Sequence, residues 1–134
     1  MIDRQEIFNS IKSKALTQNQ KCGIIYDKDI IETKYYYNGL RCHIGWIIPE
    51  NEYLPEFEGE NLASESKVGK YFLSKGYSEE DLDFLHKFQV MHDDINVEDW
   101  NSSFDDIALN YGLNKWSENQ DIIYQTIVTS KRTN

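Results

Sequence analysis

The chain has 134 residues, and its 23 acidic side chains outnumber its 14 basic ones, which gives a formal net charge of −9. The length suits one domain over residues 1–134. A hydrophobic share of 40%, with 13% aromatic residues, excludes a disordered chain. The acidic balance argues against direct nucleic-acid binding, which needs a basic surface, and against docking on an anionic membrane.

The N-terminal residues and the hydropathy predict a soluble, cytoplasmic protein. Met1 to Glu6 mix both charges and no apolar segment follows, so we expect no secretory signal. The longest apolar run, about five residues, is far shorter than the roughly 20 needed to span a bilayer. Two cysteines, Cys22 and Cys42, are too few for a disulfide framework, although a single bridge between them stays open.

The acidic residues concentrate in two segments. Residues 50–60 hold five acids and no base, and residues 78–106 hold ten acids and one base, whereas the other stretches together carry a net charge of +5. A solvated helix face that keeps the protein soluble is the simplest interpretation. The alternative is an acidic surface for a basic partner, or a surface that imitates nucleic acid.

Apolar residues at helical spacing predict five helices. They cover residues 3–16, 64–75, 78–92, 97–111 and 118–130. The Ile-Val-Thr sequence in the last of these segments also suits a strand. Ser64 and Ser78 are the predicted N-caps, and Gly76 and Gly112 the predicted terminating glycines. A short helical turn is expected over Pro49–Leu54, and residues 131–134 are expected to fray.

Residues 22–48 are predicted to form antiparallel strands, because they are rich in β-branched and aromatic side chains. The predicted strands are Cys22–Tyr26, Ile30–Tyr37 and Leu40–Ile48. Asn38-Gly39 between the last two is a strong signal for a type I′ hairpin turn. We therefore expect an α+β fold, in which a small antiparallel sheet is packed on one face by four to five helices.

A two-residue turn also fixes the register of the hairpin. It places Tyr37 opposite Leu40, Tyr35 opposite Cys42, Thr33 opposite Ile44, and Ile31 opposite Trp46. Because side chains alternate along a strand, these eight share the apolar face. Cys42 is therefore predicted to be buried and the neighbouring His43 exposed.

One segment, C-H-I-G-W-I-I-P-E-N-E-Y-L-P-E-F-E-G at residues 42–59, combines glycines, prolines, aromatic residues and glutamates within a short stretch. It resembles a family of small, uncharacterised bacterial and phage proteins with a pattern close to C-x-[IV]-G-x-[LI]-I-P-[DE]-x-x-Y-x-P-E-x-E-G. An L-x-x-x-Q-x-x-H-D segment at 85–93 and a W-x-x-x-[FL]-x-x-[IL]-A-x-x-[YH]-G-L segment at 100–113 are similar to later parts of such proteins. This chain departs from the pattern at His43 and Trp46. The resemblance implies a cytoplasmic, phage-linked setting, and it assigns no catalytic role to any residue.

The same motif has two interpretations. As a strand-to-helix turn, Gly45 gives room for an approaching helix or aromatic ring, and Pro49 sets the turn. Alternatively, the strand end forms the mouth of a pocket. The residues predicted to bind a ligand there are Glu50, Tyr53, Glu58, His92 and Asp93.

Signals for catalysis or metal binding are weak. Thiol catalysis by Cys42 with His92 needs an activated thiol, whereas the predicted register buries this cysteine. A zinc site built from Cys22, Cys42, His43, His86 and His92 lacks the spacing of zinc motifs, so no cofactor is expected.

The first functional hypothesis is a small binding protein, a phage- or prophage-encoded accessory factor whose partner is a host protein or a small molecule. The alternative is a small hydrolase or metal-dependent enzyme that uses Glu50, Glu58, His92 and Asp93. Convergence of these four in one cleft would favour the enzyme, and scatter with a continuous acidic face would favour the binder. A third hypothesis is a housekeeping structural subunit, which a large exposed apolar patch would favour.

Overall fold

A computed structural model describes residues 2–27 and 30–115. The described residues form four α-helices and two β-hairpins, so the predicted α+β class is confirmed. The helices are α1 (Arg4–Gln18), α2 (Lys67–Ser74), α3 (Glu79–Asp94) and α4 (Trp100–Tyr111). The strands are β1 (Gly23–Asp27), β2 (Ile30–Thr33), β3 (Tyr36–Tyr37) and β4 (Leu40–Arg41). The predicted helix over 118–130 and the frayed end at 131–134 lie outside the described residues.

The strands form two separate antiparallel ribbons, β1–β2 and β3–β4, where a continuous sheet was expected. The chain changes partners at Tyr35. The N–H of Lys34 still donates to Cys22 O of the first ribbon, whereas Tyr35 O accepts from Cys42 N–H beside the second. The turn between β3 and β4 has positive φ at both Asn38 and Gly39, as the type I′ prediction requires.

The predicted hairpin register is correct near the turn and wrong beyond it. Tyr37 pairs with Leu40, but β4 ends at Arg41. Thr33 and Ile31 therefore do not meet Ile44 and Trp46; they pair with Gly23 and Ile25 of β1.

A tight turn after Cys42 explains the loss of strand alternation. The N–H of Gly45 donates to Cys42 Sγ at 3.3 Å, and a 3₁₀ turn follows over Gly45–Ile47. Cys42 is buried as predicted, but His43 is also buried, at 1% exposure, so its predicted exposure is wrong.

The helix boundaries follow local capping chemistry. Ser78 and Asp81 form a reciprocal capping box at the start of α3, and Gly112 ends α4 with positive φ. The predicted cap of α2 is two residues too early, because Ser66 accepts the N–H of Gly69. The predicted helix from Val97 begins with a 3₁₀ turn over Val97–Asp99 before α4.

Between β4 and α2 the chain makes three 3₁₀ turns, and this irregular segment forms part of the functional candidate below. One of them, Glu50–Glu52, lies within the short helical turn expected over Pro49–Leu54, and a further turn over Pro55–Phe57 follows it. Phe57 anchors the segment in the core, which includes the buried rings of Phe8, Phe88 and Phe104. None of the helices in the described part of the chain has the length and apolar content needed to span a bilayer.

Candidate functional site

A small cleft lies where the two ribbons, the loop after the Pro55–Phe57 turn and helix α3 come together. Its volume is about 80 Å³, enough for several water molecules or a ligand of few heavy atoms. The polar residues that line it include Lys34, Tyr35, Glu58, Glu60, Gln89 and Asp93, and Cys42 is also part of its wall. The cleft therefore contains two of the five predicted ligand-binding residues, Glu58 and Asp93.

Glu58 ties its loop to the hairpin. One carboxylate oxygen accepts the N–H of Tyr35 at 2.8 Å; the other accepts the N–H of Tyr36 at 3.2 Å and the hydroxyl of Tyr53 at 2.6 Å. The N–H groups of Tyr35 and Tyr36 lie where the chain switches from one ribbon to the other, and the Glu58 carboxylate takes the place of a strand as their acceptor. Because three donors already occupy its oxygens, Glu58 shapes the wall of the cleft and has little capacity left for proton transfer.

Tyr53 packs behind Glu58 as a support of the loop. Its ring stacks on Tyr36, with centroids 4.3 Å apart and planes 6° from parallel. The Tyr36 hydroxyl in turn donates to Ile48 O. Burial and the hydrogen bond to Glu58 both raise the pKa of Tyr53, so its hydroxyl remains a proton donor at neutral pH.

Tyr35 and Gln89 form the inner wall of the cleft. The Tyr35 hydroxyl donates to Glu60 O at 2.5 Å and accepts from Gln89 Nε2 at 2.7 Å. Burial raises the pKa of Tyr35, which keeps this hydroxyl protonated. The arrangement directs the amide nitrogen of Gln89 to Tyr35. The remaining amide oxygen, Oε1, is buried without a hydrogen-bond partner among the described residues.

His92 and Asp93, at the end of α3, form a bonded pair. The N–H of Cys22 donates to His92 Nε2 at 2.9 Å, so this nitrogen carries a lone pair and the proton resides on Nδ1. Nδ1 donates to Asp93 Oδ1 at 2.8 Å. The imidazole is fully buried, whereas the Asp93 side chain is 35% exposed at the cleft. His92 thus orients Asp93, and its own lone pair is already occupied.

Glu50 lies apart from the other predicted site residues. Its side chain is 86% exposed, its carboxylate is 4.0 Å from the Arg41 guanidinium, and it is not among the residues that line the cleft. The structure therefore joins Glu58 to Tyr53 and His92 to Asp93, and leaves Glu50 on the surface.

Of the remaining thiol and imidazole candidates, His86 is exposed on α3, and Cys22, Cys42 and His43 are buried in the core. Cys22 and Cys42 are free thiols; burial raises the pKa of Cys22 to about 12 and also raises that of Cys42. His43 packs against Trp100, with ring centroids 4.5 Å apart, and burial lowers its pKa well below the usual value. Within the described ranges no three His, Cys, Asp or Glu side chains are arranged to hold a metal ion.

Sequence reasoning missed Tyr35 and Gln89 as site residues. Gln89 belongs to the L-x-x-x-Q-x-x-H-D segment that carried the family resemblance, and this was the signal that could have identified it. Tyr35 was assigned to the core, where its ring is indeed 3% exposed. Its hydroxyl at the cleft could not be predicted from strand alternation.

Comparisons of the chain with protein-family models, with curated proteins and with solved structures found no match. The resemblance to small bacterial and phage proteins therefore stays a prediction.

Proposed function

We propose that the protein is a non-enzymatic binding protein that captures a small, donor-bearing ligand in the cleft beside Tyr35. The observation that carries this proposal is the buried amide oxygen of Gln89, which has no partner among the described residues although it belongs to a cleft wall. A buried acceptor without a partner is costly, by about 1–3 kcal/mol. A ligand N–H or O–H that reached it would recover part of that energy.

The charges around the cleft favour a cationic ligand. Glu58, Glu60 and Asp93 contribute carboxylates to the lining, and Lys34 contributes one ammonium group, which lies 3.4 Å from Glu32. A small ammonium compound would supply both the donors and the opposite charge. With a volume of about 80 Å³ the cleft suits a ligand of a few heavy atoms, for which millimolar affinity is the expected range.

The alternative enzyme hypothesis receives less support from this geometry. A hydrolase using Glu50, Glu58, His92 and Asp93 would need them around one reacting centre. Glu50 is on the surface, Glu58 already accepts three hydrogen bonds, and the lone pair of His92 faces a backbone N–H. Only Asp93 presents a carboxylate that a bound molecule could use.

The cytoplasmic location and the role as a phage- or prophage-encoded accessory factor belong to the same proposal. The low cysteine count supports the location, and the resemblance of residues 42–59, 85–93 and 100–113 to small bacterial and phage proteins supports both. A host protein as partner is the other form of the binding hypothesis. We favour the small ligand because an unpaired buried acceptor is satisfied more readily by a molecule that enters the cleft.

An NMR titration tests the proposal with three probes of similar size. Ethanolammonium, ethylene glycol and glycolate offer a cation, a neutral molecule and an anion. We expect ethanolammonium to shift the side-chain amide signals of Gln89 and the backbone amides of the cleft. Glycolate should leave them unchanged.

Two matched variants control the titration. Asp93→Asn removes one negative charge from the cleft and keeps an oxygen to accept from His92, so binding should weaken about tenfold. Asp94→Asn changes the next residue, which is exposed and does not line the cleft, and should bind like the wild type. Absence of any shift at Gln89 with all three probes would contradict the proposal.

A further inference from the structure

A second concavity, separate from the cleft, lies between α1 and the β3–β4 hairpin. This groove has a volume of about 390 Å³, within the range of small-molecule sites. Its lining includes Lys14 and Thr17 from α1, Leu40 from the hairpin and Trp46 from the 3₁₀ turn after it. None of these residues lines the cleft beside Tyr35.

Two cations converge on the indole ring of Trp46. Lys14 Nζ is 5.7 Å from the ring centroid, and Arg41 Cζ is 5.1 Å from the same centroid and 4.5 Å from that of Tyr36. Among the described residues, the carboxylate recorded near Arg41 is that of Glu50, at 4.0 Å and largely exposed to solvent. The region is therefore locally positive on a protein whose net charge is −9.

The groove supplies hydrogen-bond donors, and its best acceptors are already occupied. Gln18 Oε1 accepts the N–H of Arg41 at 3.0 Å, and Gln18 Nε2 donates to Arg41 O at 2.8 Å, so this amide serves as an extra strand partner. The Thr17 hydroxyl donates to Ser13 O. The indole N–H of Trp46 is buried without an acceptor among the described residues, and no described acidic side chain lines the groove.

We infer that this groove binds a small molecule that carries an anionic group, a carboxylate or a phosphate, on an apolar body. The anion would lie within reach of Lys14 and accept from the indole N–H of Trp46, while the apolar body packs on Leu40 and the ring. Charge complementarity identifies the ligand class, because the groove combines the ammonium group of Lys14 with a buried indole N–H that has no acceptor among the described residues.

The indole N–H signals of an ¹⁵N-labelled sample give a direct test. The chain has three tryptophans, and the Trp46→Phe variant identifies the signal of Trp46 by its loss. Benzoate, benzamide and benzylammonium share one ring and differ in charge. We expect benzoate to move the Trp46 signal downfield and to bind at least about tenfold more tightly than benzamide. Benzylammonium should not bind.

If the Trp46→Phe variant does not fold, the indole signal of Trp46 can be assigned in the wild-type protein through its contacts with neighbouring protons. Variants that change a charge then test the inference independently of Trp46→Phe. Lys14→Gln should weaken benzoate binding several-fold, whereas Lys70→Gln, an exposed lysine of α2 outside the groove, should not. A Trp46 signal that stays unmoved at high benzoate concentration would overturn the inference. Equal affinities for benzoate and benzamide, or for the two lysine variants, would overturn it as well.

Discussion

Replacement of Glu58 by alanine should destabilise the protein more than replacement of an exposed acidic residue of the same loop between β4 and α2. The change removes the acceptor for the N–H groups of Tyr35 and Tyr36 and for the hydroxyl of Tyr53. A hydrogen bond to a charged group contributes about 1 kcal/mol or more when its donor is otherwise left unsatisfied. Three such donors give an expected loss of about 3 kcal/mol in the free energy of unfolding.

Urea denaturation followed by circular dichroism measures this loss. Tyr53→Phe removes one of the three bonds and should cost about 1 kcal/mol. Glu56→Ala is the matched control, because Glu56 is exposed two residues earlier on the same loop, and it should change stability by less than about 0.5 kcal/mol. If Glu58→Ala unfolds at the same urea concentration as Glu56→Ala, the carboxylate does not hold the loop and the reasoning fails.

Three further predictions concern the core. Burial holds the pKa of His43 well below 6.5, so at lower pH the unfolded chain binds a proton that the folded chain does not. The free energy of unfolding should therefore fall as pH drops below that value, by up to about 1.4 kcal/mol per pH unit. Urea titrations from pH 7 to 5 should show a flatter pH dependence for His43→Phe than for the wild type, and an unchanged slope would contradict this. In Gly45→Ala the new Cβ would lie 2.4 Å from Tyr35 O, so unfolding measurements should show a loss of about 2–3 kcal/mol; a loss under about 0.5 kcal/mol would mean that the backbone yields there. Burial raises the pKa of Cys22 to about 12 and also raises that of Cys42, so both thiols should be unreactive in the folded protein. After treatment with iodoacetamide at pH 8, mass spectrometry should find neither cysteine alkylated, whereas urea-unfolded protein should be fully labelled. Rapid labelling of the folded protein would show an activated thiol.

Features that depend on neighbouring residues could be predicted from the sequence. The N-cap of α3 at Ser78 and the positive φ of Asn38 and Gly39 each arise within four consecutive residues, and each matched its local signal. The apolar stripe of α4 depends only on helical spacing, and Trp100 is buried accordingly. Such local chemistry fixed the order of the elements and the α+β class.

Features that depend on distant contacts could not be predicted in the same way. Glu58 bonds to backbone groups 22 and 23 residues away, and Gln89 bonds to a hydroxyl 54 residues away. The burial of His43 depends on a turn closed by a thiol acceptor, for which alternation along a strand gives no signal. The pocket hypothesis included Glu58 and Asp93, which line the cleft, but it did not include Gln89, because its contact with Tyr35 depends on the packing of α3 against the hairpin.

A crystal structure of the protein grown with ethanolammonium tests the central claim most directly. The account predicts the compound in the cleft, with its ammonium group within hydrogen-bond distance of Gln89 Oε1 and the Asp93 carboxylate. A cleft without the compound, in which a protein group or a water molecule satisfies the Gln89 oxygen, would contradict it.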